Sequence, residues 1–359
     1  MVKFISSKIN EGKRCFQVKA VVKTKRAKGM EFKEVPVPRI GLRDVLIKVK
    51  MASICGTDVH IRDWTRWAKQ RFTPPRIVGH EFVGNVTKIG EEVTRVKVGD
   101  SVCAESHISC GRCYQCRNGY NEVCKDLKLL GIDHDGTLAE FLVLPERVLW
   151  KNDSNIPDEW ATIQEPFGNA IDTVMVEDVS AKTILILGAG PIGLFATGIA
   201  RASGASVIIV SDPNNYRLNI SKKMGAHITL NPKRQNITKR VLEATNNNGV
   251  DVVLEFSGNN QALNQGLRVI TPGGRISILG IYEKRVTIDL NKEIIFKKIR
   301  IYGVTGRKVF STWYKTSRFL TAGLVDPSPI ITHRFSLKDY EKGMKLMKDG
   351  KCGKVILNV

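Results

Sequence analysis

Cys110, Cys113, Cys116 and Cys124 follow the spacing C-x2-C-x2-C-x7-C. Four thiolates this close can close a tetrahedral shell on one zinc ion, and a closed shell leaves no position for a substrate. The lobe around residues 105–125 therefore reads as structural. Disulfide pairs or inert buried thiols are the plainer readings. A [4Fe–4S] cluster also uses C-x2-C-x2-C, although the seven-residue gap and the missing Pro after Cys124 count against it. A structural lobe means that any chemistry lies elsewhere in the chain.

A chain of 359 residues predicts two domains. No apolar run is long enough to span a membrane, and the first residues lack the apolar core of a secretory signal. Eight cysteines with zinc-like spacing suit a reducing cytoplasm. The net charge of +21 invites a nucleic-acid or anionic-surface partner. The excess is spread over both halves of the chain, however, and no arginine-rich arm or nucleic-acid motif accompanies it. A basic, soluble surface is the preferred reading, with a zinc-stabilised nucleic-acid-binding protein as the rival.

Residues 1–16 read as a basic tail. Short β segments punctuated by turns then continue to about residue 170 and predict a mostly β domain carrying the cysteine lobe. It holds a second candidate metal set. Cys55 opens C-G-T-D-V-H, and His80 and Glu81 lie in G-H-E. Three such ligands leave a fourth position open on zinc, as catalysis requires. Each alone is as readily a buried thiol or a satisfied histidine. Glu165 is another candidate carboxylate. Thr57 and His60 follow Cys55 by two and five residues, so a hydroxyl and an imidazole could carry a proton to solvent. Helix capping by Thr57 or Asp58 is the structural alternative. His107 could face the same pocket.

From about 171 to 306 strands alternate with helices, which predicts a doubly wound parallel sheet. TILILGAGPIGLFATGIARASGA contains Gly188-Ala189-Gly190-Pro191-Ile192-Gly193 between an apolar strand and an apolar helix. The first glycine permits the turn, the second admits a pyrophosphate and the third lets the helix pack. Asp212 closes the next strand, where a carboxylate binds ribose hydroxyls and repels a 2′-phosphate. NAD is therefore favoured, tempered by Arg217. Later strand ends put Ser257, Gly258, Leu279, Gly280, Ile281, Val304 and Thr305 beside the dinucleotide, with Gly306 following. Residues 307–359 return to the first domain and end in a strand.

From residue 18 to the end, these segments resemble, in order, the zinc-dependent medium-chain dehydrogenase/reductase family. Within it, ICGTDVHIRDWTRWA, AESHISCGRCYQCRNG, TIQEPFGNAIDTV, LEFSGN, VTGR and PIITHRF resemble the branch that oxidises L-threonine. Polyol, butanediol and sugar dehydrogenases share most of this machinery. The resemblance implies an α/β chain with a GroES-like catalytic domain (1–170 with 307–359) and a Rossmann domain (171–306). It implies a catalytic zinc on Cys55, His80 and Glu81, with Glu165 exchangeable or behind it, and a structural zinc on the four cysteines. It also implies a relay through Thr57 and His60, a substrate-side role for His107, and a homotetramer. Arg307 is expected at the substrate carboxylate or the pyrophosphate, and Glu165 at the substrate ammonium.

Overall fold

Along Asp44–Ser53 apolar residues alternate with polar ones, burying Val45, Ile47 and Val49 while Lys48 and Lys50 face outward. This strand is the spine of a seven-stranded sheet. It pairs antiparallel with Glu81–Ile89, Phe141–Pro145 and Lys354–Asn358. Ser101–Ala104 and Leu149–Lys151 extend one side, and Ile331–Ser336 the other. The chain's last strand thus lies between Asp44–Ser53 and Ile331–Ser336. The computed structural model describes residues 17–359, and the expectation of a basic tail before residue 17 lies outside them.

The second sheet is wholly parallel and has six strands. Its spatial order is Ile228–Leu230, Val207–Ser211, Thr183–Leu187, Val250–Glu255, Ile270–Ile278 and Arg300–Gly303. This is the 3-2-1-4-5-6 order of a Rossmann fold, with its switch point at Thr183–Leu187. Its central strands Val207–Ser211, Thr183–Leu187 and Val250–Glu255 are mostly apolar because both faces are covered. Ile184, Ile186, Ile208 and Val210 share one core with helices Gln164–Val174 and Pro191–Ala202. Leu185, Leu187, Ile209 and Val253 pack on the other face with Ile237, Val241, Leu263 and Leu267.

The first of these cores does not stop at the parallel sheet. Val83, Ile331 and Ile356 from the seven-stranded sheet belong to it. The two sheets are therefore joined through side chains. Among the described residues no helix is long and apolar enough to cross a membrane. Ile356 is fully buried in the shared core. Ile356→Ala should cost about 2–5 kcal/mol. The expected result in a urea titration is an earlier midpoint with an unchanged slope.

Candidate active site

Strand register assembles the first metal set. Ser53 pairs with Glu81, so the turn after one strand lies beside the start of the next. Cys55 occupies that turn as the N-cap of helix Gly56–Asp63, and the Asp58 carboxylate accepts from its backbone N–H at 2.9 Å. Donor atoms of Cys55, His80 and Glu81 all lie within 4.8 Å of one another. Thr57 Oγ1 is 3.8 Å from Cys55 Sγ. His60, one turn along the helix, is exposed, with Nδ1 3.3 Å from Thr65 Oγ1. Thr57 thus sits at the donor cluster and His60 at the solvent side.

The charge of this pocket favours a cation. Burial works against a charge on His80, but the Cys55 sulfur and the carboxylates around it prevail and raise its pKa to about 10. Two anionic donors and one imidazole, within reach of a single centre, fit a divalent zinc ion. Two residues missed in the sequence hold the set from behind. Lys354, fully buried on the last strand, donates to both oxygens of Glu81 and to the Ile54 carbonyl at 3.2 Å, and Ser53 Oγ also donates to Glu81. Asp58 was legible only as a cap. Its second oxygen is buried without a hydrogen-bond partner; burial raises its pKa and His80 lowers it. A carboxylate beside a ligating histidine orients the ring.

Glu165 and His107 belong to a neighbouring cluster built around Arg307, which has no exposed surface. Arg307 donates to Glu105 through Nε (2.8 Å) and Nη2 (2.6 Å), and to Glu165 Oε1 through Nη2 (2.8 Å). Ser106 Oγ donates to the same Glu165 oxygen at 2.6 Å. Glu165 is thus held by Arg307 and Ser106, and the donor cluster of Cys55, His80 and Glu81 does not include it. Burial opposes ionisation of Glu165, but Arg307 and His80 keep its pKa below the usual carboxylate value. Arg307 is engaged with the protein's own carboxylates instead of a substrate carboxylate or a pyrophosphate. Burial likewise opposes charge on Glu105, yet Arg307, His107 and Trp313 hold it down at about 2. No sequence motif marked Glu105, because its partners lie as far off as residue 313.

In the cysteine lobe, Cys113 Sγ is 3.5 Å from Cys116 Sγ and 3.8 Å from Cys124 Sγ. Four sulfurs at about 2.3 Å from one zinc in a tetrahedron stand about 3.8 Å apart. A disulfide needs sulfurs about 2 Å apart. A four-iron cluster would spread them wider. The geometry therefore fits a single ion. Backbone N–H groups of Cys116 and Lys125 lower the Cys113 pKa to about 6, while burial and Cys113 push Cys116 up to about 12. A divalent cation removes that conflict.

The predicted dinucleotide residues lie at the carboxyl ends of the parallel strands, where such folds bind ligands. Gly188 has φ +97°, and a Cβ on Gly193 would stand 2.0 Å from the Gly188 carbonyl oxygen. A Cβ on Gly190 would meet no protein atom within 4 Å. That open space adjoins the helix start at Pro191-Ile192, as a phosphate cradle requires. Asp212 is buried and accepts from Ala189 N (2.7 Å) and Asn214 N (2.8 Å), tying the glycine turn to the next strand. Arg217 is half-buried, and its Nε has no hydrogen-bond partner. Ser257, Ile281 and Thr305 are exposed along this edge, with Gly258, Leu279, Gly280 and Val304 half-buried beside them. Glu255, also missed, holds the edge together by accepting from Ser257 N at 2.8 Å, Gly258 N at 3.1 Å and Tyr282 Oη at 2.8 Å.

Cys113→Ser should lose close to one zinc equivalent per chain by mass spectrometry and melt earlier. Cys55→Ser should lose the other equivalent and the activity while keeping the wild-type melting temperature within a few degrees, roughly the effect of 1 kcal/mol or less.

Residues 41–158 match the family described as alcohol dehydrogenase GroES-like domain, and residues 191–322 match that described as zinc-binding dehydrogenase. An L-threonine 3-dehydrogenase of Pyrococcus horikoshii is 50% identical over 338 residues, 94% of this chain and 97% of the relative. One from Caldanaerobacter subterraneus is 48% identical over 94% of this chain and 98% of its own length. Among solved structures, alcohol dehydrogenase TADH from Thermus sp. ATN1 superposes with a TM-score of 0.87 at 29% identity, covering 95% of this chain and 99% of that one. The rspB alcohol dehydrogenase of E. coli CFT073, complexed with NADH, gives 0.88 at 27% identity, over 96% and 99%. Both sheets match, and relatives half identical in sequence span nearly the whole length, so the chain belongs to the zinc-binding dehydrogenase family.

Proposed function

We propose that the protein oxidises the β-hydroxyl of L-threonine to 2-amino-3-ketobutyrate with hydride transfer to NAD. The observation that carries this is the convergence of Cys55, His80 and Glu81 beside Thr57, in a chain half identical to L-threonine 3-dehydrogenases. Two zinc ions per chain belong to the reading, one on the four cysteines and one on Cys55, His80 and Glu81. The second zinc, when bound, supplies a Lewis acid that lowers the pKa of the substrate hydroxyl. NAD, when bound, supplies the hydride acceptor.

The chain's own residues do the rest. Thr57 takes the hydroxyl proton and passes it toward His60, whose exposed ring delivers it to water. Gly190 and the helix N-terminus receive the pyrophosphate. Asp212 accepts from the ribose hydroxyls and repels a 2′-phosphate, which selects NAD over NADP. Arg217 lies close enough in sequence to lessen that preference. Lys354 and Arg307 hold Glu81 and Glu165 in place.

The assembly in this reading is a cytoplasmic homotetramer. Arg300–Gly303 is the outermost strand of the parallel sheet, and Ile301 and Phe296 are exposed there at 46% and 80%. An unpaired edge beside apolar side chains suits pairing with a second copy. The positive charge is assigned to a basic surface, with no nucleic-acid partner.

The test is NADH formation on L-threonine, L-serine, 2,3-butanediol, sorbitol and glucose, repeated with NADP. The expected result is a kcat/KM for L-threonine with NAD about 10-fold or more above every other pairing. If a polyol, the butanediol or a sugar is preferred, the threonine assignment fails while the zinc chemistry stands.

A further inference from the structure

Glu105 takes part in no step above, yet it is the most heavily bonded carboxylate beside the site. Oε1 accepts from His107 N (2.9 Å), His107 Nδ1 (3.1 Å) and Arg307 Nη2 (2.6 Å). Oε2 accepts from Arg307 Nε (2.8 Å) and Trp313 Nε1 (2.9 Å). Glu105 and Arg307 have no exposed surface.

For His107 the consequence is directional. An ionised carboxylate only accepts hydrogen bonds, so the ring nitrogen facing it carries the proton. Nδ1–H therefore points inward to Glu105, and Nε2 is the ring nitrogen turned away from that carboxylate. Nε2 lies over Gly306, where a Cβ would approach to 2.7 Å. Gly306 has φ +59° and follows Val304-Thr305 at the end of the last parallel strand. Any side chain there would push the ring away. Ser106 Oγ, 3.1 Å from His107 Nδ1 and 2.6 Å from Glu165, ties the same segment to the side facing His80. His107 keeps 14% of its side chain exposed, and Nε2 has no hydrogen-bond partner among the described residues.

We propose that Glu105 is a positioning residue for recognition of the substrate's amino group, holding His107 so that Nε2 accepts a hydrogen bond from the α-ammonium of an amino-acid substrate. This rests on the threonine reading and deepens it. Arg307 and Trp313 hold Glu105 in turn. Because Arg307 follows the last strand of the cofactor sheet, the amino group is located relative to the cofactor as well as to the metal donors.

The experiment compares wild type, Glu105→Gln, Glu105→Asp, His107→Ala and the double variant Glu105→Gln/His107→Ala. The readouts are kcat and KM for L-threonine, KM for NAD, zinc content, and the inhibition constant of (R)-3-hydroxybutyrate. That inhibitor keeps the hydroxyl and the carboxylate but lacks the ammonium. Glu105→Gln should lose on the order of 10–100-fold in kcat/KM for threonine. Most of the loss should fall in KM, with the inhibition constant and the NAD KM unchanged. The double variant should be no worse than His107→Ala, because Glu105 acts through that ring. Glu105→Asp keeps a charge for Arg307 while withdrawing the carboxylate by one methylene. It should show the same selective loss, and it decides the question if Glu105→Gln does not fold. Equal weakening of threonine and hydroxybutyrate, or additive losses in the double variant, would overturn the proposal. A wild type inactive on threonine overturns the earlier reading and this one together, whereas an active wild type with unselective losses removes Glu105 alone.

Discussion

Buried negative charge is the constraint on which the rest of this structure depends. Asp58, Glu81, Glu105 and Glu165 are all nearly or fully inaccessible, and Cys55 adds a thiol among them. Ions out of water cost several kcal/mol each unless they are paired and hydrogen-bonded. At these carboxylates the chain supplies two buried basic side chains, Lys354 to Glu81 and Arg307 between Glu105 and Glu165. Both come from beyond the parallel sheet. The C-terminal segments must therefore return to the first sheet to neutralise carboxylates laid down by residues 58 to 165. Beside them, Cys55, His80 and Glu81 form a donor set whose chemistry fits a divalent cation.

That requirement connects fold to function. The return of the last strand closes the seven-stranded sheet, and Ile356 on it packs into the core shared with the parallel sheet. The same strand carries Lys354 to the back of Glu81. One short segment thus joins the two sheets and braces the donor set. At the other end of the return, Gly306 and Arg307 carry the chain out of the cofactor sheet and directly against His107 and Glu105. The donor set of Cys55, His80 and Glu81, the His107 ring and the carboxyl edge of the parallel sheet are located relative to one another by two stretches of backbone.

What was legible in the sequence follows from how local each signal is. The glycine turn at 188–193 and the four cysteines lie within short segments whose chemistry is set by spacing, and the structure places them in the geometry that spacing implies. The parallel sheet was legible because strands alternate with helices from about residue 171. Cys55 and His80 stood as a candidate set that each residue alone left open to plainer readings, since their meeting depends on the Ser53–Glu81 register. Lys354 looked like an ordinary charge heading a C-terminal strand. Glu105 looked like one acid in A-E-S-H, although its partners stand at 307 and 313. Arg307 was expected at the substrate carboxylate or the pyrophosphate. Nothing near it in sequence reveals that two carboxylates some 140 to 200 residues earlier have already engaged it.

The charge argument is tested most directly by X-ray absorption at the zinc edge on the purified wild-type protein. The account predicts two zinc environments in equal parts. One has four sulfurs at about 2.3 Å, and the other has one sulfur with nitrogen and oxygen at about 2.0–2.2 Å. A spectrum of sulfur ligands alone, with a single zinc per chain in active enzyme, would contradict it.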